Sequence, residues 1–215
     1  MNIPANISLT NTETEGTETI EPMFHTSTAS DWLKQAETLP PLKPYLSELF
    51  CEGDVTIVYG EPNGGKSIFC VEVAQDIANG KSKEPFVNEN PPQIVLYFDF
   101  ELSVRQFFAR YEGVNFSSNF YRGELNPNFE PQNFEKEIIE QIEQQIKDTG
   151  AKVVIIDNLT WLLNETEKGT EAGKLMKLLQ KMKNRLDISL IVVAHTPKRN
   201  NTDPLTLSDI AGSSR

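Results

Sequence analysis

Short apolar runs alternate along this chain with longer stretches in which apolar residues recur every three or four positions. Val55-Thr56-Ile57-Val58-Tyr59 is β-branched and aromatic, which predicts a buried strand. Ile94 to Phe100, Val153 to Ile156 and Ile188 to Ala194 are nearly continuous apolar runs, as expected of strands covered on both faces. Phe120 to Leu125 reads as a fifth strand. Helical spacing covers residues 68–78, stopped by Gly80, and Ser103 to Tyr111, closed by Gly113. Phe134 to Thr149 carries the stripe Phe134, Ile138, Ile139, Ile142 and Ile146 and ends at Gly150. Thr170 to Leu186 places Leu175, Met176, Leu178, Leu179, Met182 and Leu186 inward. A short helix over Asp31–Glu37, capped by Ser30 or Asp31, is broken by Pro40, Pro41 and Pro44. Strands alternating with helices predict an α/β domain over residues 31–215. Its sheet is mostly parallel and twisted, with right-handed crossovers and helices on both faces. Residues 1–30, rich in Thr, Asn, Glu and Ser, lack this periodicity and read as a disordered leader.

Between the first strand and the first long helix stands GEPNGGKS, Gly60 to Ser67, which fits G-x-x-x-x-G-K-[S/T] in the strand–turn–helix setting the motif requires. Each residue has a physical reason. Gly60, Gly64 and Gly65 let the backbone approach a ligand closely, and Glu61, Pro62 and Asn63 complete the turn. The loop can then point N–H groups inward as an anion nest that ends at a helix N-terminus, where Ile68 follows. Lys66 brings a cation to the phosphates, and Ser67 offers a hydroxyl to Mg²⁺. A chance glycine turn would not come with both flanking elements.

Composition narrows the setting. The 215 residues suffice for one domain with a sizeable core. Acids outnumber bases 31 to 20, a net charge of −11, which argues against a general nucleic-acid coat but leaves room for a local basic loop. The two cysteines, Cys51 and Cys70, form no metal or redox pattern and read as buried or free thiols. No apolar run reaches the ~20 residues a bilayer crossing needs. No secretory signal pattern opens the chain, so no membrane role and a cytoplasmic location are expected.

Ligands of parallel sheets bind at the carboxyl ends of the strands. Four predicted strands end in candidate chemistry: the phosphate loop, Glu101, Asp157 and His195. A polar residue after a strand is ordinary taken singly. Two carboxylates and an imidazole converging on one Gly-Lys-Ser loop are not. Asp157 is placed to hold Mg²⁺ through water and to support Ser67. Glu101 is placed to orient the attacking water, and His195 to sense the γ-phosphate. Asp99, two residues before Glu101, is the reserve carboxylate.

GEPNGGKS, YFDFELS (97–103), VVIIDN (153–158) and LIVVAHTPK (190–198) together resemble the RecA-like P-loop ATPases. They are most similar to the AAA-type branch that contains the RepA replicative helicase, near the KaiC and DnaB groups. The resemblance covers roughly residues 40–215. It implies ATP as the nucleotide, the His195 strand lying between the phosphate-loop and Asp157 strands, and the roles given above for Glu101, Asp157 and His195. The KaiC group has paired glutamates after the second strand, whereas a single carboxylate follows Phe100 here. A ring, such as a homo-hexamer, would turn two loops inward, 159–173 with Lys168 and 196–210 with Lys198 and Arg199, as candidate contacts to single-stranded DNA. The family continues past the stretch that ends here at Arg215. The expectation is therefore a truncated domain lacking its last strands, with Arg215 a candidate trans-acting finger. A low-turnover, ATP-dependent binding switch is the alternative to a helicase.

Overall fold

The structure, a computed structural model, describes residues 24–129, 134–159 and 168–195. The chain divides into two compact units, Met1–Pro41 and Leu42–Arg215. The first contributes one described element, α1 (Ala29–Glu37), which carries Trp32 and Leu33 exposed. Its N-cap is Thr28, whose hydroxyl accepts from the Asp31 amide at 3.2 Å, two residues earlier than Ser30. Of the expected leader over residues 1–30, residues 1–23 lie outside the described residues, and Ala29 and Ser30 belong to α1.

In the second unit, five strands form one sheet: β1 (Val55–Gly60), β2 (Val95–Asp99), β3 (Phe120–Glu124), β4 (Val153–Asp157) and β5 (Ser189–His195). Their spatial order is β1-β5-β4-β2-β3, and every pairing is parallel. The expected position of the His195 strand, between the phosphate-loop strand and the Asp157 strand, is observed. The crossovers carry α2 (Lys66–Asn79), α3 (Val104–Tyr111), α4 (Phe134–Thr149) and α5 (Lys168–Leu186).

Side-chain alternation along the strands sorts the core into two layers. Val95, Tyr97, Val153, Ile155, Ile191 and Val193 pack with Cys70, Val73, Ala74 and Ile77 of α2. Leu96, Phe98, Val154, Ile156, Leu190 and Val192 pack instead with Ile138, Ile142 and Ile146 of α4 and Leu175, Leu179 and Met182 of α5. Helices therefore cover both faces. This is why β2, β4 and all of β5 except His195 are buried and read as unbroken apolar runs. Each fully buried Val, Leu or Ile contributes about 1.5–3 kcal/mol relative to exposure. Truncation of Ile155, wholly inaccessible at the sheet centre, would cost about 2–5 kcal/mol.

The helix ends follow local chemistry. Ser103 and Gln106 form a reciprocal capping box at the start of α3. Gly80 closes α2 at φ +61°, and a Cβ there would lie 2.6 Å from the Pro92 ring, so both conformation and space demand glycine.

Candidate functional site

The loop between β1 and α2 is built as its sequence predicts. Gly65 caps α2 at φ +82°, a left-handed conformation, and supplies no side-chain hydrogen bond. The first amides of α2 are thus left for a ligand rather than a cap. Helix α2 begins at Lys66, two residues earlier than periodicity alone suggested, because the Gly65 conformation sets the boundary. Lys66 is 9% exposed, and its Nζ donates to Gly60 O at 2.9 Å and Glu61 O at 2.7 Å. Burial pulls its pKa below the ordinary lysine value, while Asp157 and Glu101 act the other way.

The four strands that end in candidate chemistry are contiguous in the sheet, so their ends meet. Pro62, Asn63, Gly64, Gly65, Lys66, Ser67 and Ile68 line a cleft of about 290 Å³ together with Glu101, Arg110 and His195. Asp157 closes β4 at 2% exposure. Its Oδ2 accepts the Tyr97 hydroxyl. Its Oδ1 is buried and has no hydrogen-bond partner among the described residues. Burial raises the Asp157 pKa above the usual carboxylate range, against the lowering influence of the Tyr97 and Ser67 hydroxyls. Burial likewise pushes the Tyr97 hydroxyl far up and the Cys70 thiol up to about 12. Cys70 is buried and Cys51 half-buried, and neither forms a disulfide.

These residues fit Mg²⁺. The ion takes one or two protein ligands and completes its shell with phosphate and water. Here a hydroxyl (Ser67) stands with a buried carboxylate that has an unused oxygen. Among the described residues no group of three or more His, Cys, Asp or Glu could hold a metal by itself, so phosphate oxygens and water would supply the remaining ligands.

Glu101 sits just past β2 and is held from two directions. His195 Nε2 donates to Glu101 Oε1 at 2.9 Å, and the Asn158 amide donates to the same oxygen. Asn158 Nδ2 and His195 Nε2 are themselves 2.9 Å apart. Asp99, the reserve carboxylate, is otherwise engaged. Its Oδ1 accepts the amides of Glu101 and Leu102 at 3.1 and 2.9 Å, and its Oδ2 accepts Arg122 Nε at 3.0 Å. Arg122 also donates to Leu102 O and to Glu124 and lies 4.7 Å from the Phe107 ring centroid. With both oxygens occupied and 3% exposure, Asp99 builds the turn that presents Glu101.

Sequence reasoning therefore missed Asn158, Tyr97, Arg122 and Arg110. Asn158 carried the one available signal, as the polar neighbour of Asp157 at a strand end. The side chain of Lys168, and all of Lys198, Arg199 and Arg215, lie outside what the structure describes.

No curated protein matches the chain. Among solved structures, a KaiC-like protein from the hyperthermophilic archaeon Pyrococcus horikoshii OT3 is similar at 16% identity with a TM-score of 0.48. The match covers 69% of this chain and 63% of that protein. A model of the AAA domain family matches residues 19–201, most of the sequence and all of the cleft. The chain belongs to the AAA domain family.

Proposed function

We propose that this chain binds MgATP on the Gly60–Ser67 loop and hydrolyses it with Glu101 as the residue that orients and polarises water. The loop amides and Lys66 would bind the phosphates. Mg²⁺, between Ser67 and, through water, Asp157, would neutralise charge that develops on the phosphoryl oxygens. Glu101 has one oxygen held by Asn158 and His195. This favours Oε2 as the oxygen that accepts from water and makes Asn158 a positioning residue. His195, at once on the cleft wall and bonded to Glu101, is suited to relay the presence of the γ-phosphate to the carboxylate. Arg110 brings a second cation to the wall. The observation that carries this reading is the convergence of Glu101 and His195, tied together by Asn158 behind them, on the cleft of a Gly-Lys-Ser loop whose serine stands with a buried aspartate.

The test is phosphate release by the purified chain with and without Mg²⁺. Glu101→Gln should lower turnover at least ~100-fold and leave binding of a fluorescent ATP analogue intact. Lys66→Ala should abolish binding. Unchanged turnover in Glu101→Gln would remove Glu101 from its role.

The finer reading is a ring motor, a homo-hexamer acting on single-stranded DNA as a plasmid or mobile-element replication helicase of the RepA type. It predicts several-fold stimulation of ATP hydrolysis by single-stranded DNA. A second reading, a low-turnover switch, is favoured by one observation: two donors already occupy Glu101 Oε1. It predicts tight ATP binding, slow hydrolysis and no stimulation by DNA.

A further inference from the structure

The densest run of basic residues in this acidic chain lies on α5. Acids outnumber bases 31 to 20 overall, yet residues 172–186 hold five basic side chains, Lys174, Lys177, Lys181, Lys183 and Arg185, and no acid. The structure sorts the five. Lys183 donates to Gly53 O at 2.5 Å, and Arg185 pairs with Glu143 of α4, so these two tie α5 to its surroundings. Lys174, Lys177 and Lys181 are exposed, and none takes part in an ion pair among the described residues. At 100° per residue the three fall within about 60° of arc, and at 1.5 Å per residue they span about 10 Å. Leu175, Leu179 and Met182 face the core from the other side. Gln180 and Asn184, exposed amides, flank the lysine row.

Like charges three and four residues apart destabilise a helix. An acid at any of these exposed positions would relieve the strain, and the neighbouring α4 has several. The row is therefore a local electrostatic cost with no compensating partner in the described fold, which suits an external polyanion.

We propose that the Lys174–Lys177–Lys181 face of α5 docks the phosphate backbone of a nucleic acid. Two observations favour phosphodiester over an acidic protein. The fully buried centres of protein interfaces are depleted in lysine and rich in aromatic residues, Met and Arg. Among the described residues of α5 the one exposed large apolar side chain is Leu178. The face also offers no aromatic platform for bases, so contact is to phosphate and independent of sequence. A row of about 10 Å carrying long, flexible lysine side chains can reach a few successive phosphates of one strand. This names a partner surface for the nucleic-acid reading above and rests on that reading, yet it needs no hydrolytic step.

The experiment is fluorescence anisotropy with the full chain, a labelled oligothymidylate and a labelled mixed-sequence duplex, from 50 to 200 mM salt. The variant Lys174→Glu/Lys177→Glu/Lys181→Glu should bind at least ~10-fold more weakly at the low end. Its log–log salt slope on the single strand should be shallower by about 2, three contacts at about 0.7 each. The triple Lys→Gln variant, which removes charge without reversing it, should fall between, and the triple Lys→Arg variant should bind like the parent. A parent chain that binds neither probe overturns the proposal. So does a charge-reversed or neutralised variant with unchanged affinity and slope. Binding of the ATP analogue, followed in every variant, separates the two readings. If it persists while oligonucleotide binding is absent from the parent, the surface falls and the nucleotide site stands.

Discussion

Asp99 and Asp157 stand opposite one another in register at the ends of neighbouring strands, and both are almost wholly buried. They differ in what neutralises them. Asp99 has the Arg122 Nε–H and two backbone amides, so both of its oxygens are paired. Asp157 has the Tyr97 hydroxyl, an unused oxygen, and burial that drives its pKa up. A compensated buried charge is part of a scaffold, whereas an under-compensated one beside the serine of a phosphate loop is a candidate for function. The lesson is to compare what completes each carboxylate, since depth alone does not separate the pair.

Arg122→Ala leaves Asp99 a buried charge without its cation, and should cost about 3–5 kcal/mol in denaturant unfolding. Adding Asp99→Asn should recover part of that loss. If Arg122→Ala unfolds like the parent, Asp99 is not held as described.

Next in size is Asp157→Asn, which should reduce ATP turnover about 100–1000-fold, the scale of losing one preorganised electrostatic group. In the absence of nucleotide its Tm should rise by contrast, because the substitution removes a buried, poorly compensated charge. Asp99→Asn should lower the Tm. Tm shifts of the same sign at the two sites would collapse the distinction drawn between them.

A smaller effect is expected from Tyr97→Phe, which removes one hydroxyl donor from Asp157. It should cost about 1–2 kcal/mol of stability and leave the secondary structure unchanged by circular dichroism.

The smallest is a pH dependence. A carboxyl whose folded pKa lies above its unfolded value binds more protons when folded, so its contribution falls as pH rises. For Asp157 this loss occurs between its ordinary pKa of 3.8 and its raised folded value. In Asp157→Asn that component should vanish from the pH–stability curve. A curve identical to the parent's would show that Asp157 is not shifted.

Much of this molecule was legible in its sequence because the information is local. Five strands and four crossover helices follow from apolar runs, helical stripes and stop residues such as Gly80 and Gly150. GEPNGGKS carries its meaning within eight positions. The completing partners were not legible, since they act across the sheet: Tyr97 reaches Asp157 from 60 positions away, Asn158 reaches Glu101 from 57, and Arg122 reaches Asp99 from 23. No periodicity encodes such a meeting. It arises only once strand order is known, because β4 lies beside β2 and β3 beyond it. Asp99 shows the same limit in reverse, since as a sequence it resembles Glu101 and only Arg122 reveals it as scaffold. The lysine row of α5 is legible in the sequence as five basic residues and no acid over 172–186, but its exposure on one side of the helix is not.

In the β1–β5 ladder, Gly60 is the register partner of His195. The first residue of the phosphate loop and the imidazole bonded to Glu101 thus share one rung, and a shift in either backbone is felt by the other. Coupling between two sites is reciprocal in free energy. Whatever a bound phosphate does to the His195–Glu101 contact, breaking that contact must return to phosphate affinity in equal measure.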